Sequence, residues 1–237
     1  MEKPIISLFA SAVKTYFWLD MYEQLSLNNK VPFEIVFAGN VRPEFDLPEN
    51  FYYIYSEANP IQCYETARRN SKGKYIMFTG DDVMYSPEFL NEMYWYIQRL
   101  PRNKTAMVTS QFIPLPGMSP VKGCWNGNGL VGLTPIMPRC LWSRLGGLDK
   151  RFTNVGSDLD LILRAYEAGV YPFLVPSAIV EERVEVNLPS SRLSTTKEAL
   201  DDYAFLEECW MKSDGTVGEE RLVEFQPFTE DDISIVR

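Results

Sequence analysis

The first eighty residues alternate short, wholly apolar runs with stretches whose apolar positions recur at helical spacing. Residues 5–10, 33–38, 51–55 and 75–79 read as strands, since each is brief, rich in β-branched and aromatic residues, and closed by polar or turn residues. Residues 17–27 and 61–70 read as helices between them. Strands this uniformly hydrophobic are buried on both faces, which predicts an α/β architecture with a mostly parallel sheet flanked by helices. Ligands of such sheets bind outside the carboxyl ends of the strands. That rule selects Ala10-Ser11, Gly39-Asn40 and Gly80-Asp81-Asp82.

The second half is more broken. Ser86-Pro87-Glu88 predicts a helix start, with serine as cap and proline in the first turn, running to Leu100 before Pro101. Residues 105–140 are rich in glycine and proline and suit strands and loops lining a pocket. Ser157-Asp158-Leu159-Asp160 opens a helix whose inner face is Leu159, Ile162, Leu163 and Tyr166, closed by Gly169. Residues 171–180 return as a strand. Thr195 with Glu198 predicts a capping box, followed by Leu200, Tyr203, Leu206 and Trp210 at helical spacing. Beyond Asp214-Gly215 a short strand or extended arm is expected.

Composition narrows the chemistry. The chain of 237 residues carries 32 acids against 23 bases, net −9, which makes it a poor partner for nucleic acid or anionic lipid. Residues 201–237 hold 11 of the acids and 3 of the bases, so the acidity belongs to the tail, read as a solvated, solubilising face. The four cysteines show no metal-ligand spacing and read as buried thiols of a reducing compartment. The apolar start is short and lacks a cleavage signal, and the uncharged run 105–121 is interrupted by Pro114, Pro116 and Pro120. A soluble, cytoplasmic protein without a transmembrane segment is expected.

There is no histidine, no GxxxxGK[ST] loop and no GxGxxG after a strand. What remains is a carboxylate base with a divalent metal. Asp81-Asp82 places hard oxygen ligands, suited to Mn²⁺ or Mg²⁺, at the sheet's ligand edge; the competing reading is a solvated turn. Asp158 lies in the first turn of a helix, where the dipole favours its ionised form and keeps it available as a base; alternatively it only stabilises that helix start. Glu181-Glu182 offers a further metal or acceptor contact, or an exposed acidic turn paired with Arg183. Arg68 can meet a phosphate or base, or belong to a solvated helix face. Trp125 and Asn126, in a glycine-rich loop, can stack on and bond a sugar, or lie buried beneath the loop.

Ala67 to Asp82, ARRNSKGKYIMFTGDD, resembles the run from an ARN helix through GxYI to the DxD motif of family 2 glycosyltransferases of the GT-A fold. Leu145 to Phe152, LGGLDKRF, and Gly156 to Arg164 with Glu167-Ala168-Gly169 are similar to that family's lGgfDerF, gEDxDlxxR and eaG segments. The resemblance spans residues 4–183. It implies a GT-A domain over residues 1–186, with a nucleotide-sugar half (1–100) and an acceptor half (101–186); the acidic C-terminal helix and arm (187–237) lie outside the resemblance and are expected to pack on that domain. It further implies metal-dependent, inverting transfer from a nucleotide-sugar, UDP-sugar foremost, to a hydroxyl acceptor such as a glycan. Asp82 would bind metal, Asp81 ribose or metal, and Asp158 would deprotonate the acceptor. Ala10, Ser11, Asn40, Arg68, Thr79 and Gly80 would line the donor site, and Glu181 or Glu182 would replace the family's late metal-binding histidine. Gly80 and Ser157 depart from the family's acidic residues, which keeps open a non-catalytic nucleotide-sugar or carbohydrate binding domain of a larger assembly. A sugar-1-phosphate nucleotidyltransferase is disfavoured, because no glycine-rich loop bearing Arg and Lys lies near the N-terminus.

Overall fold

The computed structural model describes residues 3–101, 106–113, 119, 133–183 and 196–233. Four strands come first: β1 (Ile6–Ser11), β2 (Phe33–Gly39), β3 (Phe51–Tyr55) and β4 (Tyr75–Phe78), with helices α1 (Trp18–Leu27) and α2 (Pro60–Asn70) between them. All three pairings among these strands are parallel, with β2 and β4 flanking β1. There follow β5 (Val83–Tyr85), α3 (Phe89–Arg99), β6 (Val108–Ile113), β7 (Leu133–Pro138), α4 (Arg139–Leu145), α5 (Ser157–Glu167), β8 (Phe173–Glu182) and α6 (Lys197–Trp210). The sheet order is β3-β2-β1-β4-β7-β6-β8-β5. Its second half is mixed: β7 pairs antiparallel with β4 and β6, β8 runs parallel to β6, and β5 pairs antiparallel with β8.

The two faces of the strands feed two cores, as a side-chain period of two requires. Ile6, Leu8, Ala10, Ile35, Phe37 and Met77 pack under α1 and α3. Phe9, Val36, Ala38, Ile76 and Phe78 pack under α2, α4 and α5, together with Leu206, Cys209, Trp210, Phe228 and Ile233 from the tail. Trp210, nearly inaccessible, is core. The C-terminal helix packs on the main domain through its apolar stripe, as its spacing suggests, while several of the tail's charges do not form the solvated face that its net charge suggests. Past α6 only single bridges form, Met211 with Val217 and Asp149 with Pro227, so this stretch is an arm rather than a strand.

Several local expectations shift. Ser86 does not cap α3; Glu88 holds that position with φ 60°, and the Ser86 hydroxyl instead donates to Ser177 O and accepts from Ile179 N in β8. The cause is β5, a three-residue edge strand too short to announce itself, which draws Ser86 onto β8. The cap of α6 is Thr196, which accepts from Ala199 N at 3.2 Å, one residue after the predicted Thr195; Thr195 lies outside the described residues. Cys63 and Cys209 are buried free thiols, whereas Cys140 is exposed; Cys124 lies outside the described residues. No helix among the described residues is long and apolar enough to cross a membrane.

Candidate active site

The chain leaves β1 for β2 on one side and later returns through β4 on the other, which makes the carboxyl ends of β1 and β4 a topological switch point, the kind of place where α/β sheets bind ligands. The two ends are tied closely. Ala12 N donates to Ala38 O at 2.8 Å, and Thr79 N to Phe9 O at 3.2 Å. Gly39 makes the first approach possible: a Cβ there would stand 2.0 Å from Ala12 O, so no other residue fits without moving a strand end. Ala10 is buried, Ser11 sits at the rim beside the Cys63 thiol, and Asn40 is exposed just past β2.

Asp81 and Asp82 divide the work at this edge. Asp81 is buried, and its Oδ2 accepts Val13 N and Lys14 N at 2.6 Å each, with the Trp18 indole N–H at 3.4 Å. Burial raises its pKa and the Lys14 N–H opposes that, with the Asp82 charge raising it further. Asp81 thus fixes the loop after β1, a role the sequence did not suggest. The Asp82 carboxylate faces outward and forms an ion pair through Oδ2 with the Lys14 ammonium. A Cβ on Gly80 would come 2.9 Å from Asp82 Oδ1, so the missing acidic side chain at position 80 leaves that oxygen room. Thr79 is spent on the Tyr85 hydroxyl inside the core.

Asp158 opens α5 on the other side. Gly156, at φ 79°, takes the left-handed turn that starts this helix; an L side chain there would be strained. The Asp158 pKa is raised by burial, against which the Leu159 N–H and its own N–H act. Among the described residues no cation pairs with it. Tyr64 of α2 lies against the side chains of β1 and β4, its ring stacked on Phe78 at 4.2 Å and edge-on to Phe9 at 6.4 Å. Burial raises the Tyr64 phenol well above its ordinary value, and the charges of Asp81, Asp158 and Asp82 raise it further. One side chain thus feels all three acids. Sequence reasoning missed both Tyr64 and Lys14; Lys14 lies three residues past the strand end that the ligand-edge rule selected.

A polar lattice anchors the helix that carries Asp158. Asp160, fully buried, accepts from Arg164 Nε at 2.8 Å, Trp210 Nε1 at 3.0 Å and Arg221 Nε at 2.9 Å. Arg221 also reaches Asp149 Oδ2 at 2.8 Å. Asp202 of α6 accepts the backbone N–H groups of Thr153, Asn154 and Val155, the closest at 2.6 Å, and so clamps the loop that precedes Gly156.

Other candidates lie elsewhere. Arg68 is engaged by Glu65, at 3.1 and 2.5 Å, and sits over the Trp142 ring, so its charge is already matched. Glu182 and Glu181 lie opposite Val83 and Met84 across the β5–β8 ladder, Val83 being the residue after Asp82, and Arg183 N donates to Asp82 O at 2.7 Å. The Arg183 guanidinium pairs with Asp20 rather than with either glutamate. Glu181 and Glu182 also line a cavity of about 490 Å³ with Gln24, Tyr85 and Ile179. Trp125 and Asn126 lie outside the described residues.

The donor set bears on a metal directly. Among the described residues no three Asp, Glu, Cys or His side chains converge to hold an ion. Asp82 nevertheless already carries a cation, the Lys14 ammonium, on one oxygen. Such a site fits a hard divalent ion that brings much of its coordination with it as water and substrate phosphate, rather than one caged by protein groups alone.

No family model matches the chain, and no curated protein does. Solved structures do. GalNAc-T7, crystallised with UDP, GalNAc and Mn²⁺, aligns with a TM-score of 0.68 at 12% identity, over 90% of this chain and 49% of that one. The chain has the GT-A fold. Two more GT-A neighbours agree: S. aureus TarS 1–349 with UDP, TM-score 0.55 and 12% identity over 76% of this chain and 60% of that one, and the mannosyltransferase PcManGT from Pyrobaculum calidifontis with GDP-Man and Mn²⁺, 0.56 and 13% over 79% and 59%. The chain spans about half to three fifths of the length of these GT-A proteins.

Proposed function

We propose that the chain is an inverting glycosyltransferase that moves a sugar from a nucleoside diphosphate donor, a UDP-sugar foremost, to a hydroxyl of a glycan. What supports this reading is the GT-A fold, together with Asp82 directly after β4 at the switch point of the sheet and the charges of Asp82 and Asp158 both acting on one buried phenol, Tyr64. The GT-A neighbours solved with UDP or with GDP-Man and Mn²⁺ support the choice of donor class. Ala10, Ser11 and Asn40 border the nucleoside, and Asp82 holds Mn²⁺ or Mg²⁺. When bound, that ion neutralises charge on the diphosphate. Asp158 takes the proton of the acceptor hydroxyl as its oxygen bonds to the anomeric carbon; the bond to the diphosphate breaks, and its electron pair leaves with the phosphate oxygen. Attack from one side and departure on the other invert the centre. Burial suits Asp158 to this role, because a raised pKa makes a better proton acceptor than an ordinary aspartate.

The test is release of nucleoside diphosphate from UDP-, GDP- and dTDP-sugars in the presence of Mn²⁺ and an acceptor panel. Asp158→Asn is expected to keep donor affinity within about twofold and to lose about 10²- to 10⁴-fold in turnover, the range of a lost general base. Unchanged turnover would remove the base assignment. Donor binding without turnover by the unaltered chain, whatever the acceptor, would instead make it a binding domain.

A further inference from the structure

We propose that the Lys14 side chain is a built-in counter-ion that competes with the divalent cation for Asp82, so that the site takes up the cation together with a nucleoside diphosphate and only weakly without one. The inference rests on the glycosyltransferase reading above and concerns how its donor site is loaded.

Lys14 grips both acids of the doublet. Its backbone N–H donates to Asp81 Oδ2 at 2.6 Å, and its ammonium pairs with Asp82 Oδ2. The first contact pins the loop; the second depends only on a flexible four-carbon stem. Side-chain exposures of 32% for Lys14 and 18% for Asp82 put the pair at the rim, where the ammonium can turn away without disturbing the core. The neighbouring guanidinium takes no part, because Arg183 pairs with Asp20 at 2.9 Å and covers the Phe17 ring. The ion pair sets a full positive charge directly against the Asp82 carboxylate.

A divalent ion arriving alone meets a carboxylate that is already neutralised and a like charge at its side. A nucleoside diphosphate changes both conditions, since its anionic oxygens offer the displaced ammonium a new partner and the ion further ligands. Uptake of ion and nucleotide is then coupled, and the coupling is reciprocal: each raises the affinity of the other by the same factor.

The experiment is calorimetric titration of the full chain, its Lys14→Gln and its Lys14→Arg variants, with Mn²⁺ alone, with UDP or GDP alone, and with each nucleotide in Mn²⁺. Lys14→Gln is expected to bind Mn²⁺ alone about five- to tenfold tighter, as removal of a partly exposed pair and its repulsion implies, and to bind UDP in Mn²⁺ at least about fivefold more weakly. Lys14→Arg is expected to follow the unaltered chain. A general loss of structure would weaken both ligands, so the opposite signs separate competition from damage, and an unchanged Tm checks the fold. Equal or weaker Mn²⁺ binding by Lys14→Gln overturns the proposal. If the unaltered chain binds neither UDP nor GDP with Mn²⁺, the glycosyltransferase reading fails instead; tighter Mn²⁺ binding by Lys14→Gln would still uphold the competition at Asp82.

Discussion

Two groups of acids lie on either side of the N-terminus of α5, and they are treated in opposite ways. On the tail side, Asp149, Asp160 and Asp202 are almost wholly inaccessible and each is saturated: Asp149 and Asp160 by arginines, Asp202 by three consecutive backbone N–H groups. On the cleft side, Asp158 has no cation among the described residues, and Asp82 has one lysine at the rim. Burial of a charge is tolerated when its hydrogen bonds are complete. The saturated acids therefore build the frame, and the incompletely matched ones are those to which the proposed function gives a ligand. Degree of satisfaction, more than burial or sequence, separates structure from chemistry here.

Breaking the frame gives the largest stability effect. Arg221→Met leaves two buried carboxylates short of a partner and is expected to cost about 3–5 kcal/mol, read as a lower denaturation midpoint with unchanged slope. Asp202→Asn keeps the shape of the side chain but not its charge, so the loop at residues 153–155 loses charge-assisted bonds; a loss of about 2 kcal/mol is expected by the same measurement. The cleft side should respond with the opposite sign. The folded-state pKa of Asp158 is raised, so folding favours its protonated form: this stability is fully present below the unfolded pKa and is lost as pH rises through the folded one. Asp158→Asn is thus expected to raise Tm at neutral pH by a few degrees, about 2–4 °C per kcal/mol for a chain this size, with the advantage gone below about pH 4. Turnover should fall on the acid side at a pH above the ordinary aspartate range. A lower Tm for Asp158→Asn would erase the contrast between the two groups.

Much of this was legible in the chain. The strands β1 to β4 announced themselves because each is a short apolar run between polar breaks, and the ligand-edge rule then led to Asp82 and to the end of β1. Asp158 stood out at a helix start, but its reading as a base came from the resemblance to the gEDxDlxxR segment. The antiparallel half was obscured: β5 is only three residues long, and α4 is a seven-residue helix directly after Pro138, without a capping side chain. The tail misled for a different reason. Net charge counts carboxylates but does not say which of them meet arginines and backbone N–H groups, so the tail's acidity read as a solvated face although its Asp202 is buried and its Arg221 pairs with buried carboxylates. Asp81 looked like a metal ligand because its neighbour does; only the fold brings the amides of residues 13 and 14 to its oxygen. Tyr64 carried no signal, since an aromatic residue on an amphipathic helix is ordinarily core.

The account turns on one nucleotide-sugar lying between Asp82 and Asp158. A crystal structure of the chain with UDP and Mn²⁺ tests this directly. The diphosphate is expected at Asp82, with Lys14 turned from the carboxylate onto a phosphate oxygen, and the Asp158 carboxylate facing the space beyond the diphosphate where the sugar would sit. A nucleotide bound elsewhere, such as in the cavity between Gln24 and Glu181, with Asp82 still paired to Lys14, would contradict it.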